Sequence, residues 1–416
     1  MAVATAQQAV MDGAVRYLVS NYNPKGNKVG WLMMASILIE AWDLYSIAFV
    51  LIYIKAQYNP DPLLLGLAAA GTQGGALIGA LLGGWLSDKI GRRVMFLSTM
   101  VMFIVLALAQ AFVPNMVWLV VIRFLLGVPL GSDISNGYTY IMESMPKGDR
   151  EVMGNRWQFM FAIGEVMTLA VIALFLLADM PREWVWRVTL GLGAVPALII
   201  LIMRHDLPET AVWLIRQGRF REAKQVTLSM YGDKLDILPD VDVTVEKPRP
   251  TAFLADISKD PIRWRATQYG WIACFCQASE FSTFGFYLPV LFVMLGVAGD
   301  LGIVVVTMCL YVIAAISGSG FLPFVAAAML WGHYWAASNC MTIPTVVAKP
   351  EYRGTASGFA YMFVKLPSFL AIFLFPSLFT EIGQAASTLF VAIFPLTGLS
   401  AAILILPEIY GYEHDS

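Results

Sequence analysis

The stretch Gly84-Trp85-Leu86-Ser87-Asp88-Lys89-Ile90-Gly91-Arg92-Arg93 decides how this chain is read. Asp88, Lys89, Arg92 and Arg93 crowd into one short turn, and the chain on either side is apolar over 63–86 and 94–113. A membrane-spanning helix needs about 20 mostly apolar residues, because in lipid its backbone must satisfy its own hydrogen bonds. The stretch is therefore predicted to join two spanning helices. Gly91 suits a tight reversal between them. Asp88 is placed to pair with the arginines or to cap the N-terminus of a neighbouring helix.

The same reading extends to the whole chain. Of 416 residues, 58% are apolar and 13% are charged, against about 25% charged in soluble domains. Mean hydropathy is +0.69. This excludes a soluble globular enzyme, a disordered chain and a coiled coil. The net charge of −2 offers no basic field for nucleic acid. Apolar runs at 29–54, 63–86, 94–113, 116–142, 154–178 and 185–203 precede a break, and runs at 266–296, 301–319, 321–347, 355–380 and 385–406 follow it. The expected fold class is an all-α polytopic membrane protein. The break, 204–265, holds 21 of the 56 Asp, Glu, Lys and Arg residues. It reads as a solvated linker, and its amphipathic run Glu209–Met230 as an interfacial helix. The expected organisation is an N-terminal segment 1–28, a helix bundle 29–203, the linker 204–265, a second bundle 266–406 and a tail 407–416.

Lys/Arg asymmetry orients the chain. Lys89, Arg92, Arg93, Lys147 and Arg150 mark turns on the side of the linker, so the N-terminus, those turns and the linker are expected to be cytoplasmic. Residues 1–27 hold no signal-peptide core. Lys349 and Arg353 should share the linker's side, yet the count of spans after 266 puts them opposite. One crossing is missing near 296–301, where helix 8 and a basic turn would stand.

The turn at 84–93 carries G-x-L-x-D-x-x-G-R-R and resembles the signature of the major facilitator superfamily. Arg123, Gly127 and Gly131, followed by Tyr140, Glu143, Pro146 and Arg150, resemble a pattern of its sugar-porter and phosphate-symporter branches. Leu207-Pro208-Glu209 with Trp213-Leu214, then Gly218-Arg219 and Glu222-Ala223, resemble the sugar-porter segment after helix 6, and Pro407-Glu408 its terminal motif. The resemblance implies two pseudo-symmetric six-helix bundles rocking about a central site. It also implies a gate or charge cluster of Asp88, Arg92, Arg93, Arg123, Glu143, Arg150, Glu209 and Arg353.

An ionisable side chain inside a span costs at least about 2.5 kcal/mol, so each is a functional candidate. Glu40 and Asp43 lie three apart, on one helix face. Glu40 is open to a packed pair with Arg or His. Asp133, Arg156, Gln158, Glu165, Gln277, Glu280, His333 and Lys365 complete the set. Arg123 reads as structural or gate-related, Arg156 as snorkelling, and His333 as a packing histidine. Asp43 in Trp42-Asp43-Leu44-Tyr45, Asp133 ten residues before Glu143, Glu280 before Phe281, and Lys365 twelve after Arg353 match the register of the phosphate:proton symporters. The resemblance assigns proton coupling to Asp43, Asp133 and Glu280, a share in substrate binding to Glu280, and a substrate or Glu280 partner to Lys365. Ile134, Cys276 and Phe284 stand where those relatives carry phosphate-holding tyrosine, tryptophan and tyrosine. Gln158 and Gln277 match sugar-binding glutamines of the sugar porters, whose amides suit hydroxyl-rich ligands.

The expected function is proton-coupled symport of a small polar or anionic metabolite by alternating access. A sugar transporter is the alternative, and a nutrient sensor on the same scaffold is the rival from another class. Partners are the substrate, protons and a lipid bilayer, with a monomer in the cell membrane expected and no nucleic acid. No cofactor is implied. Three histidines, one of them in a span, and the apolar-embedded Cys274, Cys276, Cys309 and Cys340 offer no metal or nucleophile constellation, so no enzyme is expected.

Overall fold

The computed structural model describes residues 2–233, 235–245, 252–294 and 341–407. The described residues are helical with no strand. α1 is Ala2–Ser20, α2 Gly26–Tyr58, α3 Pro62–Ile90, α4 Arg92–Ala111 and α5 Met116–Ser144. α6 is Asp149–Gly154, α7 Trp157–Leu177, α8 Arg182–Leu192 and α9 Ala194–Arg204. α10 (Ala211–Arg216), α11 (Phe220–Tyr231) and α12 (Ala252–Ile257) occupy the linker. α13 is Pro261–Met294, α14 Thr342–Val347, and α15 Arg353–Leu404.

Seven helical stretches among the described residues are long and apolar enough to cross a bilayer. The protein is an integral, multi-pass membrane protein. Local chemistry sets the helix ends. Asp61 accepts a hydrogen bond from the Leu64 N–H (2.8 Å) ahead of Pro62, and Asn115 accepts one from Trp118 N–H (3.1 Å), so both cap orphan donors of a first turn. Gly91 alone separates α3 from α4. It adopts φ +102°, and a Cβ there would meet the Glu209 carboxylate at 2.3 Å, so the turn demands glycine.

The expected span 185–203 is divided where Gly193 parts α8 from α9, while α7 fills the expected span 154–178 and the short α6 precedes it, set off by Asn155 and Arg156. In the linker the expected single helix over Glu209–Met230 is two, because Gly218 turns at φ +74° with no room for a Cβ beside Val243 O. Its apolar face does not lie open as an interfacial helix would. It packs on α1, where Met11, Val15, Leu18 and Val19 meet Val212, Leu214 and Phe220.

α3 is the hinge of the packing. Its glycine face presses on α5: a Cβ on Gly75 would sit 1.8 Å from Phe124 O, and one on Gly79 2.1 Å from Val128 O. The opposite face of α3 packs on α15, where a Cβ on Gly84 would lie 2.2 Å from Gly354 O. Small residues let membrane helices approach this closely. α15 contains 52 residues, about 78 Å if straight. Arg263 donates to Val347 O, while Arg265, two residues on, donates to the carbonyls of Leu404 and Ile405. Both ends of α15 therefore lie at one end of α13, and the element doubles back, as the paired expectations 355–380 and 385–406 require. The expected crossing near 296–301, the runs 301–319 and most of 321–347, His333, Cys309 and Cys340 lie outside the described residues.

Candidate functional site

Ser36, Glu40 and Asp43 follow each other on successive turns of α2 and share a face. Each meets a buried ion pair, and together these make a ladder about 10 Å long.

The rung furthest from the linker is Asp43 with Arg123 of α5. The guanidinium donates from Nη1 to Oδ1 (3.2 Å) and from Nη2 to Oδ2 (3.1 Å). Its Nε donates to Ala68 O (2.8 Å), and Gln110 Oε1 accepts at 3.4 Å. A fork-on-fork pair of this kind fixes both geometry and charge. The partners of Arg123 are Asp43, Gln110 and Ala68 O. It stands seven residues into α5, near the end opposite the linker.

The rung nearest the linker is Asp133 with Arg204. Arg204 Nη1 donates to both Asp133 oxygens (3.2 and 3.0 Å), and Ser36 Oγ and Thr99 Oγ1 donate to the same carboxylate. The remaining guanidinium protons reach Leu32 O, Met33 O and Ser36 Oγ. Arg204 is fully buried and Asp133 is 1% exposed.

The middle rung is Glu40 with Lys365 of α15. Lys365 Nζ donates to Glu40 Oε1 and to Gln73 Oε1 of α3 (2.7 Å), and lies 4.9 Å from the centre of the Tyr361 ring. Lys365, expected to meet Glu280 or an anionic ligand, here pairs with the Glu40 carboxylate. Glu280 is half-buried on α13, one residue before Phe281, whose ring meets Phe161 of α7 edge-on at 5.4 Å. Gln277 is buried one turn earlier. Gln158 stands in the first turn of α7 with its side chain outside the described set.

A second cluster closes the linker end. Asp88 accepts from the backbone N–H of Gly354 (3.1 Å) and Thr355 (2.9 Å) and from Thr355 Oγ1 (2.7 Å). It caps the first turn of α15, where the helix dipole favours an anion. Asp88 also pairs with Arg92 (3.0 Å), so both roles read from the sequence are realised. Arg92 forks onto Glu143 (2.8 and 3.2 Å), and Glu143 accepts from Thr210 Oγ1 (2.5 Å). Glu209 gathers the N–H groups of Arg92 (3.0 Å), Arg93 (3.1 Å) and Thr210 (2.9 Å). Burial pushes the Glu209 carboxyl above its ordinary range, against the opposing pull of those N–H groups and the Arg92 charge. Arg150 donates to Met142 O and pairs with Glu151, and Arg353 is fully buried at the start of α15.

Arg204, Gln73, Ser36 and Thr99 were not singled out by the sequence. Arg204 is the last residue of a span and reads as the first charge of the linker. The Ser36–Glu40–Asp43 spacing was the available signal for the ladder.

Residues 31–325 match the family model described as sugar (and other) transporter. The chain belongs to that family. The niacin transporter NiaP of Acinetobacter baylyi is 25% identical over 218 residues, covering 52% of this chain and 48% of that protein. The arabinose-proton symporter of Bacillus subtilis is 25% identical over 279 residues, covering 66% and 59%. The chain spans about half to two thirds of the length of the first curated relatives it matches. A solved structure of the major facilitator superfamily proton:xylose symporter XylE bound to 6-bromo-6-deoxy-D-glucose superposes with a TM-score of 0.71 at 17% identity, covering 94% of this chain and 98% of that one. The fold is that of the major facilitator superfamily.

Proposed function

We propose that this family member is a secondary active transporter that couples a small polar or anionic metabolite to protons by alternating access. The observation that carries the reading is the α2 ladder, in which three buried carboxylates each hold a cation in the membrane interior. Buried pairs of this kind stabilise a fold little compared with apolar packing, and intramembrane ionisable groups mark ion and proton paths. Asp43 and Asp133 are assigned as proton carriers. A proton on Asp43 cancels one half of its fork and frees Arg123 to move; the same holds for Asp133 and Arg204. Glu280, half-buried on α13, is assigned as a third acid, and Gln277, Gln158 and Lys365 are assigned to the substrate.

The Asp88 cap on α15 and the Arg92–Glu143–Thr210 bonds support a state closed at the linker end. That end, with the N-terminus, is assigned to the cytoplasm by the Lys/Arg asymmetry, and the protein to the cell membrane as a monomer. The family's fold and membership support transport over catalysis. A sugar is the second reading, favoured by the buried Gln277 and by the arabinose-proton symporter's likeness.

The test is uptake into proteoliposomes under an inward proton gradient. Wild type accumulates its solute. Asp43→Asn abolishes accumulation while solute exchange across the bilayer persists. Full accumulation by Asp43→Asn removes Asp43 as a carrier.

A further inference from the structure

Within the span region, the two Arg–Asp pairs are internal to the first half of the chain: Asp43 with Arg123, Asp133 with Arg204. Glu40–Lys365 differs. It joins α2 to α15, and among the described residues it is the buried intramembrane ion pair that crosses between the halves. Rocking leaves the internal pairs intact. It must break the crossing pair whenever α2 and α15 part, and each partner would then be a bare charge in a dry cavity. Something has to replace Glu40 on Lys365, and something has to neutralise Glu40.

We propose that Glu40 is the chain's own stand-in for the carboxylate of a monoanionic substrate, and that Lys365 is handed from Glu40 to that carboxylate as Glu40 takes up the transported proton. The inference rests on the transport reading above. The step balances. One proton moves from the outer water onto a Glu40 carboxylate oxygen, the Lys365 ion pair with Glu40 breaks, and one with the substrate carboxylate forms. The net charge held in the site is zero before and after: Glu40 and Lys365 cancel in the empty carrier, Lys365 and the substrate carboxylate cancel in the loaded one, and the substrate's charge enters together with that of the proton. A dianion would leave a buried negative charge, and a neutral sugar would leave Lys365 bare. The exchange is therefore electroneutral, with one proton for each monovalent carboxylate.

The surroundings fit such an exchange. Gln73 already accepts from Lys365 through Oε1, and its amide nitrogen is a donor for the second oxygen of an incoming carboxylate. Tyr361, one turn before Lys365, is buried against the Glu40 carboxylate, so a hydroxyl faces Glu40 when Lys365 departs. The groups set around Glu40 are Lys365 and Tyr361 from α15 and Gln73 from α3. Tyr138, with Arg123 engaged by Asp43 and Asp133 engaged by Arg204, approaches from α5 and α9. On α7, Glu165 adjoins the Gly164 that packs on Leu38 and Ala41, and α13 carries the half-buried Glu280. Lys365 is the cation bonded to Glu40, and Asp43, held by Arg123, is the acid one turn away.

The experiment uses the full chain in proteoliposomes, with lactate, benzoate and nicotinate as monoanions, succinate as the dianion and xylose as the neutral probe. A monoanion accumulates under an inward pH gradient, and a potential imposed with potassium and valinomycin changes its uptake by less than twofold. Glu40→Gln, isosteric with the protonated acid, loses that accumulation, and its exchange of the monoanion no longer depends on pH. Glu40→Asp restores the pH dependence. Xylose or succinate accumulating with inward current, unaffected by Glu40→Gln, overturns the assignment of Glu40 and leaves proton-coupled transport standing. No probe or other solute moving with protons overturns both.

Discussion

Removing Arg204 should expose what the ladder costs and holds. Arg204 is fully buried and donates to five oxygens: both of Asp133, the carbonyls of Leu32 and Met33, and Ser36 Oγ. In Arg204→Met the stem is kept and the charge is lost. Asp133 then retains only the hydroxyls of Ser36 and Thr99 in a site 1% exposed. Breaking a buried pair by deleting one partner costs about 3–5 kcal/mol, because the survivor is an uncompensated charge. Asp133→Asn alone leaves the Arg204 charge with three oxygens outside the pair and falls at the low end of that range. The double variant removes both charges and should recover most of the loss, since replacing a whole buried pair is often close to neutral. The expected coupling is therefore about 2–3 kcal/mol, well above the roughly 0.5 kcal/mol scatter of additive sites. A double-mutant cycle read by denaturant unfolding in detergent checks it. Additive losses would refute the pair as an energetic unit and reduce Asp133 to a carboxylate satisfied by hydroxyls.

Two more outcomes follow from measured geometry. Gly79→Val places atoms 2.1 Å from Val128 O, where backbone cannot yield, so the cost exceeds the roughly 1–3 kcal/mol of ordinary overpacking. Folded yield by size-exclusion chromatography should collapse, whereas Gly26→Ala, whose Cβ meets nothing nearer than 3.4 Å, leaves it unchanged. Asp256 ties α12 to Arg263 (3.1 Å) and Lys349 (2.8 Å). Burial raises its carboxyl, but the Lys349 hydrogen bond and the Arg263 and Lys349 charges outweigh that and hold it below 3.8. A folded value below the unfolded one gives stability that is present above about pH 4 and lost as pH falls through the folded value. Limited proteolysis between 245 and 260 should accelerate in that acid window, and Asp256→Asn should show the faster rate at every pH.

The turn at 84–93 was readable because its chemistry is local: glycine where two helices reverse, and a carboxylate four residues from its arginine. The six spans before the linker were readable because lipid demands length and apolarity from each segment alone. Partners were not readable in the same way. Asp43 and Arg123 are 80 residues apart, Asp133 and Arg204 71, and Glu40 and Lys365 325. Which charge neutralises which is a property of helix packing, and a span's own sequence carries only the fact that a partner is needed. Arg204 was overlooked because the end of a span and the start of a solvated linker look alike in composition. The linker's apolar stripe was visible, but the surface covering it was not, since α1 is nearly 200 residues upstream.

The position of Glu40 three residues from Asp43 also bears on stoichiometry. Such neighbours on a helix sit about 5–6 Å apart. Two carboxylates at 6 Å repel by roughly 3 kcal/mol at an effective dielectric constant of 20. Arg123 and Lys365 offset that repulsion while both forks are closed. In the exchange proposed above, Lys365 leaves Glu40 for the substrate, the offset on that side vanishes, and a proton on Glu40 removes the repulsion. Once one acid is protonated the repulsion is gone, Arg123 still holds Asp43, and a second proton has no comparable drive. The proposed exchange therefore calls for a single proton per Lys365 hand-over. A helix that carried Asp43 without Glu40 would lack that limit, because the Arg123 fork stays within its own half and does not sense whether Lys365 is occupied.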